Sequence, residues 1–232
     1  MKKRICGIAV LALAAAFSVY AQESNPASDF TFTERNGEIK ITKYKGEKKD
    51  VVIPQNINNL PVTSIGQFAF EEMQITGVII PNTVTLIEKY AFAKNQLTSV
   101  IIPDSVISIE RRAFHDSKIK NVTIGNSVTE IGNDAFGNNL LTILIIPNSV
   151  VIINNYAFSN NLITGLTIGN SVTTIKGGAF SENMLTSVTI PDSVTTIGGD
   201  AFTGNRITTV TVPKNVNLAR SAFDAGVKVT RQ

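Results

Sequence analysis

Apolar residues return along this chain on a fixed beat. The dipeptide Ala-Phe places Phe at positions 70, 92, 114, 136, 158, 180 and 202, a spacing of 22 each time, and again at 223. A companion dipeptide, Ile or Val followed by Pro or Gly, ends at Pro54, Pro81, Pro103, Gly125, Pro147, Gly169, Pro191 and Pro213. Self-similarity at such a period marks a solenoid, in which each repeat is one coil of a stack. Only the first interval is longer, by five residues, and its excess, Asn58-Asn59-Leu60-Pro61-Val62, reads as an inserted loop. The last repeat drops one residue before Phe223, as an atypical terminal coil does.

Within a unit, Leu97 to Ile102 is short, rich in β-branched residues and stopped by Pro103, which has no N–H for a ladder, so it predicts a strand. Alternation puts Val100 and Ile102 on one face and Ile101 on the other. Val106, Ile109, Ala113 and Phe114 must then return the chain to the same interior by turns, and no helix of useful length fits in what remains. The pattern predicts a mainly β solenoid with one parallel strand per repeat, whose stacked coils form a sheet about 38 Å long.

A single coil cannot stand alone. Burying its five or six large apolar side chains stabilises it by roughly 8 to 18 kcal/mol, against about 20 to 40 kcal/mol of backbone entropy. Stacking adds strand ladders and covers both sides of every Phe, so the eight Phe residues are expected to form a continuous internal spine. Asn95, Asn139, Asn161, Asn183 and Asn205 recur three residues after the spine Phe, where an inward amide can bond free backbone groups of adjacent turns.

Charge and composition alter this picture mainly at the N-terminus. Lys2, Lys3 and Arg4 precede an apolar run from Ile5 to Val19, followed by the small-x-small pattern Val19-Tyr20-Ala21. Residues 1–21 therefore read as a cleaved export signal. The run of 15 residues falls short of the roughly 20 that a membrane span needs, and no second apolar run approaches that length. Without the segment, 18 basic residues face 18 acidic ones, so the sequence pI near 9.0 carries no argument for nucleic-acid binding. The single Cys6 leaves with the signal, which removes disulfides, thiolate metal sites and cysteine nucleophiles. Residues 22–50, with Phe30-Thr-Phe32 and Glu38-Ile-Lys-Ile41 flanking Asn36-Gly37, read as a β-hairpin cap. Residues 51–232 read as the solenoid.

Catalytic groups are scarce in this sequence. Its one His, His115, follows a spine Phe at a position held by Ala93, Gly137, Ser159, Ser181 and Thr203 in other coils, which reads as an exposed variable position. Glu71-Glu72 are a pair, but adjacent residues need not converge. Gly177-Gly178 and Gly198-Gly199 lack the Lys-Ser/Thr follower of a phosphate loop. No enzyme activity, cofactor or metal is implied.

The pattern LTSVxIPxSVTxIGxxAFxxN, seen in Leu185 to Asn205, resembles the BspA-like, or treponemal-type, bacterial leucine-rich repeats, over about Val51 to Gln232. The family usually has Cys where this chain has the recurring Asn. The resemblance implies horseshoe curvature and a secreted or cell-surface role in binding host matrix, host cells or other bacteria. An alternative is a structural envelope component that self-associates through the solenoid ends.

Solenoids bind through residues the core does not dictate, usually on the face of their parallel sheet. Here the outward strand series is Ile79, Ile101, Thr123, Ile145, Thr167, Thr189 and Thr211, uncharged throughout. An exposed apolar strip favours a protein partner over a glycan or nucleic acid, although sheet propensity alone also selects Ile and Thr. A second candidate is the charge concentrated at Arg111, Arg112, His115, Lys118 and Lys120. Lys40, Lys43, Lys45, Lys48 and Lys49 on the leader read as edge protection.

Overall fold

The computed structural model describes residues 23–232; residues 1–21, read from sequence as an export signal, lie outside the described residues. The chain opens with the hairpin Phe30–Arg35 and Glu38–Tyr44. Asn36 and Gly37 turn it with φ of 54° and 76°, the left-handed pair that matches strand twist in a two-residue loop. The long first interval is a correction to the sequence reading. It is a second hairpin, Asn56–Ile57 against Leu60–Ile65, turned by Asn58 and Asn59 with φ of 53° and 63°. Leu60, Pro61 and Val62 thus begin a six-residue strand rather than a loop.

From there the chain coils with parallel strands at the 22-residue spacing, but on two sides of each coil. The predicted strand is present as Gly77–Ile79, Ser99–Ile101, Asn121–Thr123, Ile143–Ile145, Gly165–Thr167 and Thr209–Val212. The second apolar pair, read from sequence as turn, also forms a strand of two residues: Leu86–Ile87, Ser108–Ile109, Glu130–Ile131, Ile152–Ile153, Thr174–Ile175, Thr196–Ile197 and Asn217–Leu218. This short strand builds the longest ladder, an 11-stranded sheet that starts at the N-terminal hairpin and runs to Asn217–Leu218.

The longer strands do not form the single sheet that stacking alone predicts. They pair two by two: Asp50–Val52 with Gly77–Ile79, Ser99–Ile101 with Asn121–Thr123, Ile143–Ile145 with Gly165–Thr167, and Thr209–Val212 with Lys228–Arg231. The companion dipeptide explains the two middle pairs. Pro103 and Pro147 are followed one coil later by Gly125 and Gly169, where a Cβ would overlap the proline carbonyls. The next amides are bonded by the preceding coil as well, Asn126 N–H donating to Asp104 Oδ1 at 2.7 Å and Asn170 N–H to Asn148 Oδ1 at 2.8 Å.

The third side of each coil is the Ala-Phe turn. Residues two before and two after the spine Phe are left-handed in coil after coil, as at Tyr90 and Lys94 with φ of 59° and 56°. That alternation aims every second N–H group at the next coil: Tyr90 donates to Arg111 O (3.0 Å), Phe92 to Ala113 O (2.8 Å) and Lys94 to His115 O (2.8 Å).

Inside, the spine is continuous. Neighbouring rings from Phe70 to Phe223 stack with centroids 4.8–5.6 Å apart. It extends beyond the repeats, because Tyr44 of the hairpin stacks on Phe70 at 5.3 Å and Phe30 packs on Tyr44 at 5.5 Å. Beside the rings runs the amide ladder. Asn139 Nδ2 donates to the carbonyls of Phe114, Phe136 and Gly137 (2.9–3.2 Å), while its Oδ1 accepts from Ser117 and Ile119 N–H (3.1 and 2.9 Å). Asn95, Asn161, Asn183 and Asn205 repeat the arrangement. Ser117 takes the amide's place in one coil and donates to Phe92 O at 2.9 Å.

Candidate partner-binding face

The longer strand presents the surface. Because Val100, Ile102, Leu144 and Ile146 are buried, alternation turns the residues between them outward. Ile79, Ile101 and Ile145 are exposed, Ile101 by 65%. Thr123, Thr167, Thr189 and Thr211 are exposed as well, so all seven strip residues face solvent on one side. Parallel register brings Ile101 beside Thr123 and Ile145 beside Thr167.

The face is more apolar than the outward series alone shows. Ile143 is 66% exposed two residues before Ile145, where other coils place Ser99, Asn121, Gly165 and Ser187. Leu140 and Leu162, at the corner where the chain enters its strand, are also exposed. The sequence signal for Ile143 is the change from Leu-Thr-Ser-Val to Leu-Thr-Ile-Leu at 141–144.

The charged group of the third repeat does not form one patch. Its residues spread around the rim of a single coil. Arg112 is half-buried, with Nε 3.3 Å from the Asp134 carboxylate, a guanidinium N–H donating to the Tyr90 hydroxyl at 3.3 Å, and the guanidinium 5.8 Å from the Tyr90 ring centre. Arg111 lies 5.9 Å over the same ring. His115, expected to be exposed, is half-buried. Its ring packs against Gly137 of the next coil, which leaves room that a Cβ would take, and its Nε2 lies 3.4 Å from the Asn138 amide. Nδ1 is buried without a hydrogen-bond partner among the described residues. Burial lowers the His115 pKa; Asp134 opposes this, Arg112 reinforces it and Asp116 opposes it.

Lys118 and Lys120 behave differently. Both are exposed, and neither forms an ion pair among the described residues. The Lys120 amide donates to Thr98 O at 2.9 Å, which sets it at the entrance of the Asn121–Thr123 strand. Lysines on the hairpin are partly engaged, with Lys40 bonded to Glu88 at 2.9 Å and Lys49 to Met73 O at 2.9 Å.

The terminal coils are tied to their neighbours by specific groups. At the N-terminus the hairpin covers the first coil. At the C-terminus the Asp224 carboxylate accepts from Gly204 and Asn205 N–H (3.0–3.3 Å), and Arg231 donates to the carbonyls of Lys214 and Val216 (2.8 and 3.1 Å).

With this geometry in view, comparison with known proteins is informative. The model of the BspA type leucine rich repeat region matches residues 44–163 and 107–230, in six copies. No curated protein matches the sequence. Among solved structures, a leucine-rich repeat protein from Bacteroides ovatus is 21% identical with a TM-score of 0.66, covering 90% of this chain and 67% of its own. A leucine rich cell surface protein from Faecalibacterium prausnitzii is 26% identical with a TM-score of 0.57, covering 82% of this chain and 54% of its own. The pneumococcal vaccine antigen PcpA is 21% identical with a TM-score of 0.54, covering 86% and 51%. This chain thus spans between half and two thirds of the length of those proteins. It belongs to the BspA-type leucine-rich repeat family.

Proposed function

We propose that the protein is exported and acts outside the cell as a binding protein, with its longer-strand face as the contact surface for a protein of host matrix, host cells or other bacteria. Residues 1–21 serve as the export signal, 22–50 as the cap and 51–232 as the binding solenoid. One observation carries the reading: Ile79, Ile101, Ile143 and Ile145 stand exposed on the longer-strand side of the coils, where the fold needs no apolar side chain. The similarity to a protein described as a leucine rich cell surface protein supports the location. The role is adhesion or recognition without turnover.

A photo-crosslinker placed at Ile101 or Ile145, and separately at Ile107 or Val151 on the opposite ladder, tests this against intact cell-surface protein. The reading expects a discrete adduct from the first pair alone, abolished by Lys at Ile79. Equal adducts from both faces, or none from the first, would overturn it.

A further inference from the structure

Resting on the strand-face reading above, we propose that the partner presents aliphatic side chains bordered by carboxylates, seated on Ile101, Ile143 and Ile145 with its acidic groups on Lys118 and Lys120. Two observations carry this. Three carboxylates that border the longer strands have hydrogen-bond donors within the protein, although each keeps its charge: Asp50 accepts from the Thr76 hydroxyl at 2.8 Å, Asp104 from Asn126, and Asp192 from the Gln232 amide at 2.9 Å. The cations at the strand entrances are not engaged in this way. Lys118, Lys120 and Arg206 are exposed and without a carboxylate within ion-pair distance among the described residues, and Lys118 and Lys120 stand one coil from exposed Leu140 and Ile143.

The face is therefore apolar around Ile143 and Ile145, with the two unpaired cations Lys118 and Lys120 at one coil of its margin. A basic partner would meet uncompensated like charge there, whereas carboxylates would gain ion pairs at a rim where charge governs the encounter. Arg112 and Arg111 do not contribute, because Tyr90 and Asp134 hold them on the turn side.

Three extended peptides of equal length, alternating Val with Glu, Lys or Gln, provide defined probes for fluorescence anisotropy at low and physiological salt. The Val/Glu peptide is expected to bind about tenfold more tightly than the Val/Lys peptide, a difference of about 1.4 kcal/mol, and to weaken with salt. Lys118→Glu with Lys120→Glu should reverse that ranking, and Ile143→Ser with Ile145→Ser should weaken every peptide. Equal binding of all three peptides that still responds to the Ile143 and Ile145 changes would overturn the acidic assignment and leave the apolar face standing. Binding indifferent to the Ile143 and Ile145 changes would overturn the face itself. No binding by any peptide would overturn the assignment of an acidic, aliphatic partner.

Discussion

Gly125 lies so close to the main-chain carbonyl of Pro103 that a Cβ on it would overlap that oxygen, and Gly169 stands in the same relation to Pro147. The longer strands pair at those coils, whereas Pro81, Pro191 and Pro213 stand at the equivalent position elsewhere. The resulting unit on that side is two coils.

Gly125→Ala and Gly169→Ala should each destabilise the protein by about 1–3 kcal/mol through this backbone overlap. Gly165→Ala is the control, since its Cβ would meet only the Ile143 side chain at 3.8 Å and above. That variant should stay within about 0.5 kcal/mol. Urea unfolding of the three variants checks the ranking.

Spine residues should differ by the number of rings they touch. Phe136 stacks on both sides, at 5.1 and 5.4 Å, whereas Phe223 stacks on Phe202 alone among the described residues. Phe136→Ala should cost about 3–5 kcal/mol and Phe223→Ala distinctly less, again by denaturant unfolding.

Much of this interior was legible from spacing, because the spine Phe, the alternating Val-x-Ile of the longer strand and the inward Asn each recur on one period. What spacing concealed has physical reasons. The second ladder uses only two residues per coil, as at Ser108–Ile109, too few for alternation to distinguish a strand from a turn. The left-handed turn residues are seldom glycine: Tyr90, Arg112 and Glu182 occupy positions that only Gly178 and Gly204 mark openly. Tyr44 joins the spine from outside the repeat, so no period points to it. On the longer-strand face, the outward series located Ile101 and Ile145 but not Ile143, whose exposure depends on a substitution in one coil. The charged candidate split because Arg112 found Tyr90 and Asp134 across coils, contacts that only the stacked structure defines.

Asn139→Ala should cost more than about 2 kcal/mol, since it leaves several buried carbonyls and two N–H groups without their partner. Asn139→Asp keeps the acceptor but removes the amide donor and aims a carboxylate at three carbonyl oxygens, so it should recover little. Thermal unfolding of both variants provides the measurement.

Acid should weaken the fold through His115. Its pKa in the folded protein lies below the usual 6.5, chiefly because of burial. The unfolded chain therefore takes up a proton that the folded chain resists. This contribution is complete above about pH 6.5 and declines as the pH falls toward the folded value. The melting temperature should drop on acidification below that point, and His115→Asn should reduce the slope. An unchanged slope in the variant would assign the acid sensitivity to other groups.

Outward isoleucines should be dispensable to folding. Ile101→Lys and Ile145→Lys are expected to stay within about 0.5 kcal/mol of the parent, while Ile102→Lys, one residue along and buried, should prevent folding because it leaves an unpaired charge in the core. Circular dichroism melts of the three variants distinguish them.

The most direct test of the binding face is solvent paramagnetic relaxation of the isoleucine δ1 methyl groups, measured with and without the partner captured at Ile101. The account predicts that Ile79, Ile101, Ile143 and Ile145 lose solvent contact on binding while Ile107, exposed on the opposite ladder, keeps it. Protection of Ile107 with the other four unchanged would contradict it.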